Sequence, residues 1–187
     1  LPILIFTQHS VATEFMEAAQ QVSPTLLALE EAGRDWGCQT ILTYPNDDAG
    51  GKRIIKEISK LESKKSPFIQ IHPNLGRYNY HGVLNVADAC IGNSSSGIKE
   101  TPAFGCPCIN IGGRQNGRLR GDNVIDTDYN SADIKHAIWR CLNDKTFKKQ
   151  VVECINPYGG GEAGKRIAEV LATVTLGLTL TQKKMSY

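Results

Sequence analysis

Short apolar runs, each followed by a stretch with helical periodicity, recur along almost the whole chain. The runs at 3–7, 40–44, 68–72, 89–92, 107–111 and 123–125 read as strands. Between them lie amphipathic stretches at 11–21, 24–32, 51–61, 80–86, 97–104 and 131–142, and a last helix is expected near 163–174. Ser23 followed by Pro24 reads as a helix start, serine capping and proline at the first helical position. Strands that alternate with helices at this spacing imply βαβ units: a Rossmann-like, doubly wound parallel sheet with helices on both faces. With 187 residues there is enough chain for one such domain with a sizeable core.

The composition excludes several function classes. Lys+Arg 21 against Asp+Glu 19 gives +2, so no charge excess points to nucleic acid or to a membrane surface. The apolar stretch at 176–180 is far too short to span a bilayer, and LPILIF lacks the flanks of a secretory signal. A soluble, cytoplasmic domain, a piece of something larger, is the expectation. Cys38, Cys90, Cys106, Cys108, Cys141 and Cys154 show no C-x-x-C spacing and have mostly apolar neighbours. Buried free thiols fit them better than disulfides or a metal site. His9, His72, His81 and His136 are scattered at non-ligand spacing, so no metal is expected, and no cofactor.

In a doubly wound sheet, ligands sit beyond the carboxyl ends of the strands, so the residues that follow each strand carry the information. His9 follows the first, as a structural hydrogen-bonder or a catalytic group. YPNDDAGG (44–51) follows the second; Asp47 or Asp48 there serves either a ligand or the cap of the next helix. The fourth runs into GNSSSG (92–97), with Glu100 close behind. Serine hydroxyls and backbone N–H groups at a helix start favour an anion, and Glu100 suits ribose hydroxyls. The alternative is a serine cap with Glu100 completing a capping box. The fifth strand leads into NIGGRQNGRLRGDN (110–123), where Arg114, Arg118 and Arg120 suit phosphate oxygens or form a solvated basic loop. Each signal is weak alone, yet with the NPYGGGEAGKRI turn all fall on one sheet edge. Their convergence reads as a site for a nucleoside diphosphate.

IGNSSSGIKETPAFGCPCINIGGRQNGR, with YPNDDAGG, LGRYNY and NPYGGGEAGKRI, resembles the hydrolysing UDP-N-acetylglucosamine 2-epimerases. That family includes bacterial enzymes of sialic and legionaminic acid biosynthesis. The resemblance runs from about His9 to about Val170 and covers only the C-terminal half of the family pattern. It implies residues 1–175 as the UDP-binding domain of a two-domain, GT-B-type enzyme whose N-terminal domain is absent, with 176–187 an unassigned tail. By the resemblance, Ser94, Ser95, Ser96 and Gly97 would hold the diphosphate, Glu100 the ribose, and Arg114 would contact UDP. The loop after the third strand, from His72 through LGRYNY (75–80, with Arg77 in it), would lie against the uracil, and Asn46 and Asp48 match the family's PN-x-DAG loop. His9 would stabilise or protonate the departing UDP.

The implied chemistry is anti elimination of UDP, then hydration to a free 2-acetamido sugar of manno configuration. The acid/base carboxylates belong to the other domain. The implied partners are UDP-N-acetylglucosamine or a diacetamido relative such as UDP-N,N'-diacetylbacillosamine, and a second copy or an N-terminal domain. Here His9-Ser10-Val11-Ala12 replaces the usual H-P-V-T, which is expected to loosen the loop that aims His9. Competing readings are the nucleotide-binding half of a GT-B glycosyltransferase, a non-catalytic UDP-binding module, and a non-hydrolysing epimerase. The last carries a DSGG-type nest where this chain has NSSSG.

Overall fold

The computed structural model describes residues 1–182, the side chain of Thr179 excepted; the end of the expected tail, 183–187, lies outside the described residues. Strands β1 (Ile3–Thr7), β2 (Gln39–Thr43), β3 (Ile69–His72), β4 (Ala89–Gly92), β5 (Cys108–Ile111) and β6 (Val124–Thr127) form one sheet. Its order is β3-β2-β1-β4-β5-β6, every pair parallel. β4 and β5 are buried throughout and β1 nearly so, whereas the edge strands β3 and β6 are only partly covered. That is why the central runs read as unbroken apolar sequence: a strand covered on both faces has no polar side to alternate with.

Helices α1 (Ala18–Trp36), α2 (Gly51–Ser63), α3 (Gly76–Leu84), α4 (Ser96–Lys99), α5 (Ser131–Asn143) and α6 (Lys145–Glu153) complete a compact unit, Leu1–Pro157. Leu4 and Phe6 of β1 pack with α1, α2, α5 and α6 in the larger core. Ile5, pointing the other way, meets Leu84, Cys90 and Cys106, flanked by Tyr80 and Phe104. A second unit begins at Tyr158 and holds α7 (Ala163–Thr173) and α8 (Leu178–Thr181). Among the described residues no helix is long and apolar enough to cross a membrane.

Three local expectations give way to packing. The stretches at 11–21 and 24–32 do not form two helices: α1 runs unbroken through Pro24, after a 3-10 turn at Ala12–Glu14. Ser23 does not cap; its hydroxyl donates back to the Ala19 carbonyl at 2.7 Å. An interior proline costs about 3 kcal/mol. Each fully buried large apolar side chain returns about 1.5–3 kcal/mol, and α1 buries Val22, Leu26 and Leu29 as one stripe across that position. The expected helix 97–104 is instead α4, a single turn, followed by a 3-10 turn at Thr101–Phe104, since Pro102 has no N–H to continue the ladder. Helix α6 was not anticipated, although Asp144 accepts from Thr146 N–H at 3.0 Å and Phe147 N–H at 3.1 Å in a regular N-cap.

The cysteines are all free; only Cys154 is not buried. Burial pushes the Cys90 and Cys141 thiols up to about 12, far from the thiolate form that reacts.

β1 and β4 approach so closely at their carboxyl ends that residue 92 has no room for a side chain. Gly92 has φ 126°, and a Cβ there would sit 2.0 Å from the Thr7 carbonyl oxygen. Gly92→Ala is therefore expected to destabilise the fold by about 3 kcal/mol or more, read as a lowered midpoint in urea unfolding. An unchanged midpoint would mean that the two strand ends do not meet in this way.

Candidate functional site

From β1 the chain leaves for the face carrying α1, and from β4 for the face carrying α4. A crevice opens between the carboxyl ends of two such strands. It is held open by Asn93, a buried residue at the end of β4. The Asn93 side chain accepts from the His9 N–H at 2.7 Å and donates to the His9 carbonyl at 2.8 Å. Its own carbonyl accepts from Arg114 Nη1 at 3.1 Å and Gln115 Nε2 at 2.7 Å. One residue thus ties the loops after β1, β4 and β5 together. The loop that lacks the family's proline and threonine is pinned on both sides of His9's backbone, and buried Gln8 adds a bond to the Gln21 carbonyl of α1.

A cleft of about 600 Å³ lies over this junction, lined by Thr7, His9, residues 43–46 and 73–77, Tyr80, His81, Ser94, Ser95, Ser96 and Glu100. Of the residues read from sequence, His9, Asn46, Arg77, the three serines and Glu100 share its wall. Arg114, Asp48, His72 and Gly97 do not. His72 is exposed at the end of edge strand β3. Gly97 faces the sheet: a Cβ there would lie 2.7 Å from the Cys108 sulfur, so its lack of a side chain seats the serine turn on the strands. The segment through LGRYNY is no simple loop either, because α3 starts at Gly76. A hollow of similar size, about 640 Å³ between α1 and α5, is lined by helix residues such as Trp36, Lys135 and Trp139 rather than by strand ends.

Neither capping alternative holds. Asp48 does not cap α2, whose N-cap is Gly50; its carboxylate accepts from Asn46 Nδ2 at 2.6 Å and lies 3.9 Å from Arg114 Nη2. Ser95, at the N-cap of α4, makes no side-chain cap. Ser94 Oγ accepts from Ser96 N–H at 3.3 Å. Glu100 turns sideways, its Oε2 accepting from Ser96 Oγ at 2.9 Å and lying 3.0 Å from His81 Nε2. Of the three arginines after β5, only Arg114 turns toward Asn93. Arg120 pairs with Asp126 at 3.1 Å and does not line the cleft. The NPYGGGEAGKRI turn belongs, from Tyr158 on, to the second unit. Among the described residues no cluster of His, Cys, Asp or Glu is arranged to hold a metal ion.

His9 is the chemically prepared group. Its Nδ1 accepts the Asn46 N–H at 3.0 Å, which places the proton of the neutral ring on Nε2. Burial, then the Arg114 charge, lower its pKa against weaker opposing effects of the Asn46 side chain and then Asp48. The cleft therefore offers a neutral N–H donor, a turn with three serine hydroxyls, and a carboxylate fixed at one oxygen. That set can hold an anion beside a diol. Sequence reasoning missed Asn93 and His81. The signal for Asn93 was a polar residue directly after a wholly buried strand; His81 gave none beyond its place in the YNYH run.

The family model described as UDP-N-acetylglucosamine 2-epimerase matches residues 2–172. A Campylobacter jejuni GDP/UDP-N,N'-diacetylbacillosamine 2-epimerase (hydrolyzing) is 34% identical over 147 residues, 79% of this chain and 37% of that protein. A Neisseria meningitidis UDP-N-acetylglucosamine 2-epimerase is 35% identical over 167 residues, 87% of this chain and 41% of that protein. The chain thus spans about two fifths of the length of these relatives. The crystal structure of UDP-GlcNAc 2-epimerase from Neisseria meningitidis bound to UDP-GlcNAc matches the fold with a TM-score of 0.74 at 14% identity, covering 92% of this chain and 45% of that one.

Because the fold favours neutral His9, its contribution to stability is fully present above the unfolded-state value of 6.5 and declines as pH falls through the lowered folded value. An NMR titration of the imidazole is expected to show a midpoint below 6.5 that rises in Arg114→Gln. A midpoint unmoved by that substitution would sink the electrostatic account.

Proposed function

Since the chain belongs to the UDP-N-acetylglucosamine 2-epimerase family, we propose that it supplies the UDP-binding half of a hydrolysing 2-epimerase acting on UDP-N-acetylglucosamine or a diacetamido relative. The observation that carries this reading is the convergence of His9, the Ser94–Ser96 turn and Glu100 on one cleft wall at the β1/β4 crevice. The serine turn and His9 Nε2–H take the diphosphate. Glu100 takes the ribose hydroxyls through its second oxygen. Residues 73–77, Arg77 among them, flank the base, with His72 just outside. Asn46 fixes the tautomer of His9, while Asp48 and Arg114 set the charge behind it. The hydrolysing branch is favoured by the NSSSG turn and by the Campylobacter relative, which is named as hydrolyzing.

The reaction that this half serves is loss of the C2 proton and of UDP from opposite faces of the sugar, leaving a 2-acetamidoglucal. Water then adds with inversion at C2 to release a free manno-configured sugar. Negative charge grows on the β-phosphate as the C1–O bond breaks, and donors aimed at those oxygens beforehand lower the barrier. His9 donates a hydrogen bond from a neutral ring rather than acting as a charged acid, because double protonation would break its bond to the Asn46 amide. The base and acid that act on C2 come from the remainder of the enzyme.

Calorimetric titration with UDP tests the binding half. Glu100→Ala is expected to weaken UDP by roughly 1 kcal/mol or more, the scale of a hydrogen bond to a charged group. Failure of the folded chain to bind UDP would remove the reading. Because His9 donates from a neutral ring, UDP binding is expected to take up no proton at pH 7.5, read as a binding enthalpy that does not change between buffers of different ionisation enthalpy; a net proton uptake that His9→Asn removes would show a charged imidazole instead. Assayed together with the remainder of the enzyme, this half should serve release of UDP and a free sugar together. Production of an epimerised UDP-sugar instead would assign the chain to the non-hydrolysing branch.

A further inference from the structure

The carboxylate of Glu100 is gripped by one oxygen only. Ser96 Oγ and His81 Nε2 both meet Oε2, at 2.9 and 3.0 Å, and among the described residues no hydrogen bond reaches Oε1. His81 arrives from a different element, α3, across the cleft wall. Its ring is held in turn by Phe104, tilted at 48° with centroids 5.3 Å apart, and Phe104 closes the 3-10 turn that follows Glu100. A glutamate side chain with 43% of its surface exposed would otherwise sample several rotamers. With both partners on Oε2, Oε1 keeps its lone pairs free on a residue that lines the cleft. A carboxylate oxygen with its lone pairs free can accept from both hydroxyls of a vicinal diol.

We propose that His81 is a positioning residue that, by anchoring Oε2 of Glu100, makes the cleft select ribonucleotides over 2'-deoxyribonucleotides. The inference rests on the reading that Glu100 meets the ribose, and adds the residue on which that selectivity depends. His81 touches the carboxylate and not the nucleotide, so its loss affects the sugar discrimination and leaves the diphosphate contacts intact.

Titrations of the full chain with UDP and with 2'-deoxy-UDP test it, using His81→Gln and His81→Asn. The position is partly exposed, and thermal melts establish that each variant is folded. Glutamine places an amide nitrogen near the position of imidazole Nε2, whereas asparagine is too short to reach Oε2. Wild type is expected to prefer UDP by about tenfold or more, the scale of a hydrogen bond to a charged group. His81→Gln should retain most of that preference. His81→Asn should lose it with 2'-deoxy-UDP affinity changed by less than about twofold. Equal wild-type affinities for the two nucleotides, or no binding of either, would overturn the ribose reading of Glu100 and this inference with it. Wild-type selectivity abolished by Glu100→Ala but kept in His81→Asn would overturn the role of His81 alone. Parallel weakening of both nucleotides in His81→Asn would also overturn it, because that is the mark of a purely structural residue.

Discussion

The junction of β1 and β4 is the constraint on which the rest of the cleft depends. Gly92 lets the two strand ends touch, and Asn93 then clamps the backbone of His9 from both sides. A buried amide that meets two backbone groups cannot shift without leaving them unpaired, at a cost of about 1–3 kcal/mol for each unsatisfied group. The carbonyl of the same residue collects Arg114 and Gln115 from the loop after β5. His9, the serine turn and the Arg114 charge are therefore not three independent placements. They are set by one residue, and a change in its geometry would reach all of them.

Above that junction the charges are arranged in two tiers. His9, Asn46, the serines and Glu100 line the cleft, while Asp48 and Arg114 stand behind them. A partly exposed pair at 3.9 Å adds little to stability. Its effect is on the imidazole, which Arg114 pushes toward the neutral form and Asp48 pulls the other way. The serine turn is shallow because Gly97 brings it down onto Cys108, and the buried thiols beneath offer a soft, unreactive floor. Packing under the turn thus sets the height at which the hydroxyls meet a ligand.

The strands were legible because strands buried on both faces are unbroken apolar runs, and each lies within a residue or two of its expected bounds. The helix that spans Pro24 was not, since a proline after serine is a start signal locally and only the stripe of Val22, Leu26 and Leu29 outweighs it. His9, Ser94–Ser96, Glu100 and Asn46 could be found because topology places whatever follows a parallel strand at the ligand edge. Gly97 and His72 show where that rule stops: it gives the edge, but not which way a residue faces. His81 escaped for the opposite reason. It sits inside a helix and reaches the cleft through a contact spanning 19 positions of sequence, for which no local pattern exists.

The two hydrogen bonds from Asn93 to His9 join residues 84 positions apart, and β1 lies between β2 and β4 in the middle of the sheet. Such a contact closes a long loop, and contacts of that kind form late and slowly. The His9–Asn93 junction consequently has no local precursor: no single strand–helix unit of this chain contains both residues. Its integrity is as cooperative as the fold itself. Solvent protection of the His9 amide would then report global unfolding rather than local fraying, making the crevice a gauge of the whole unit.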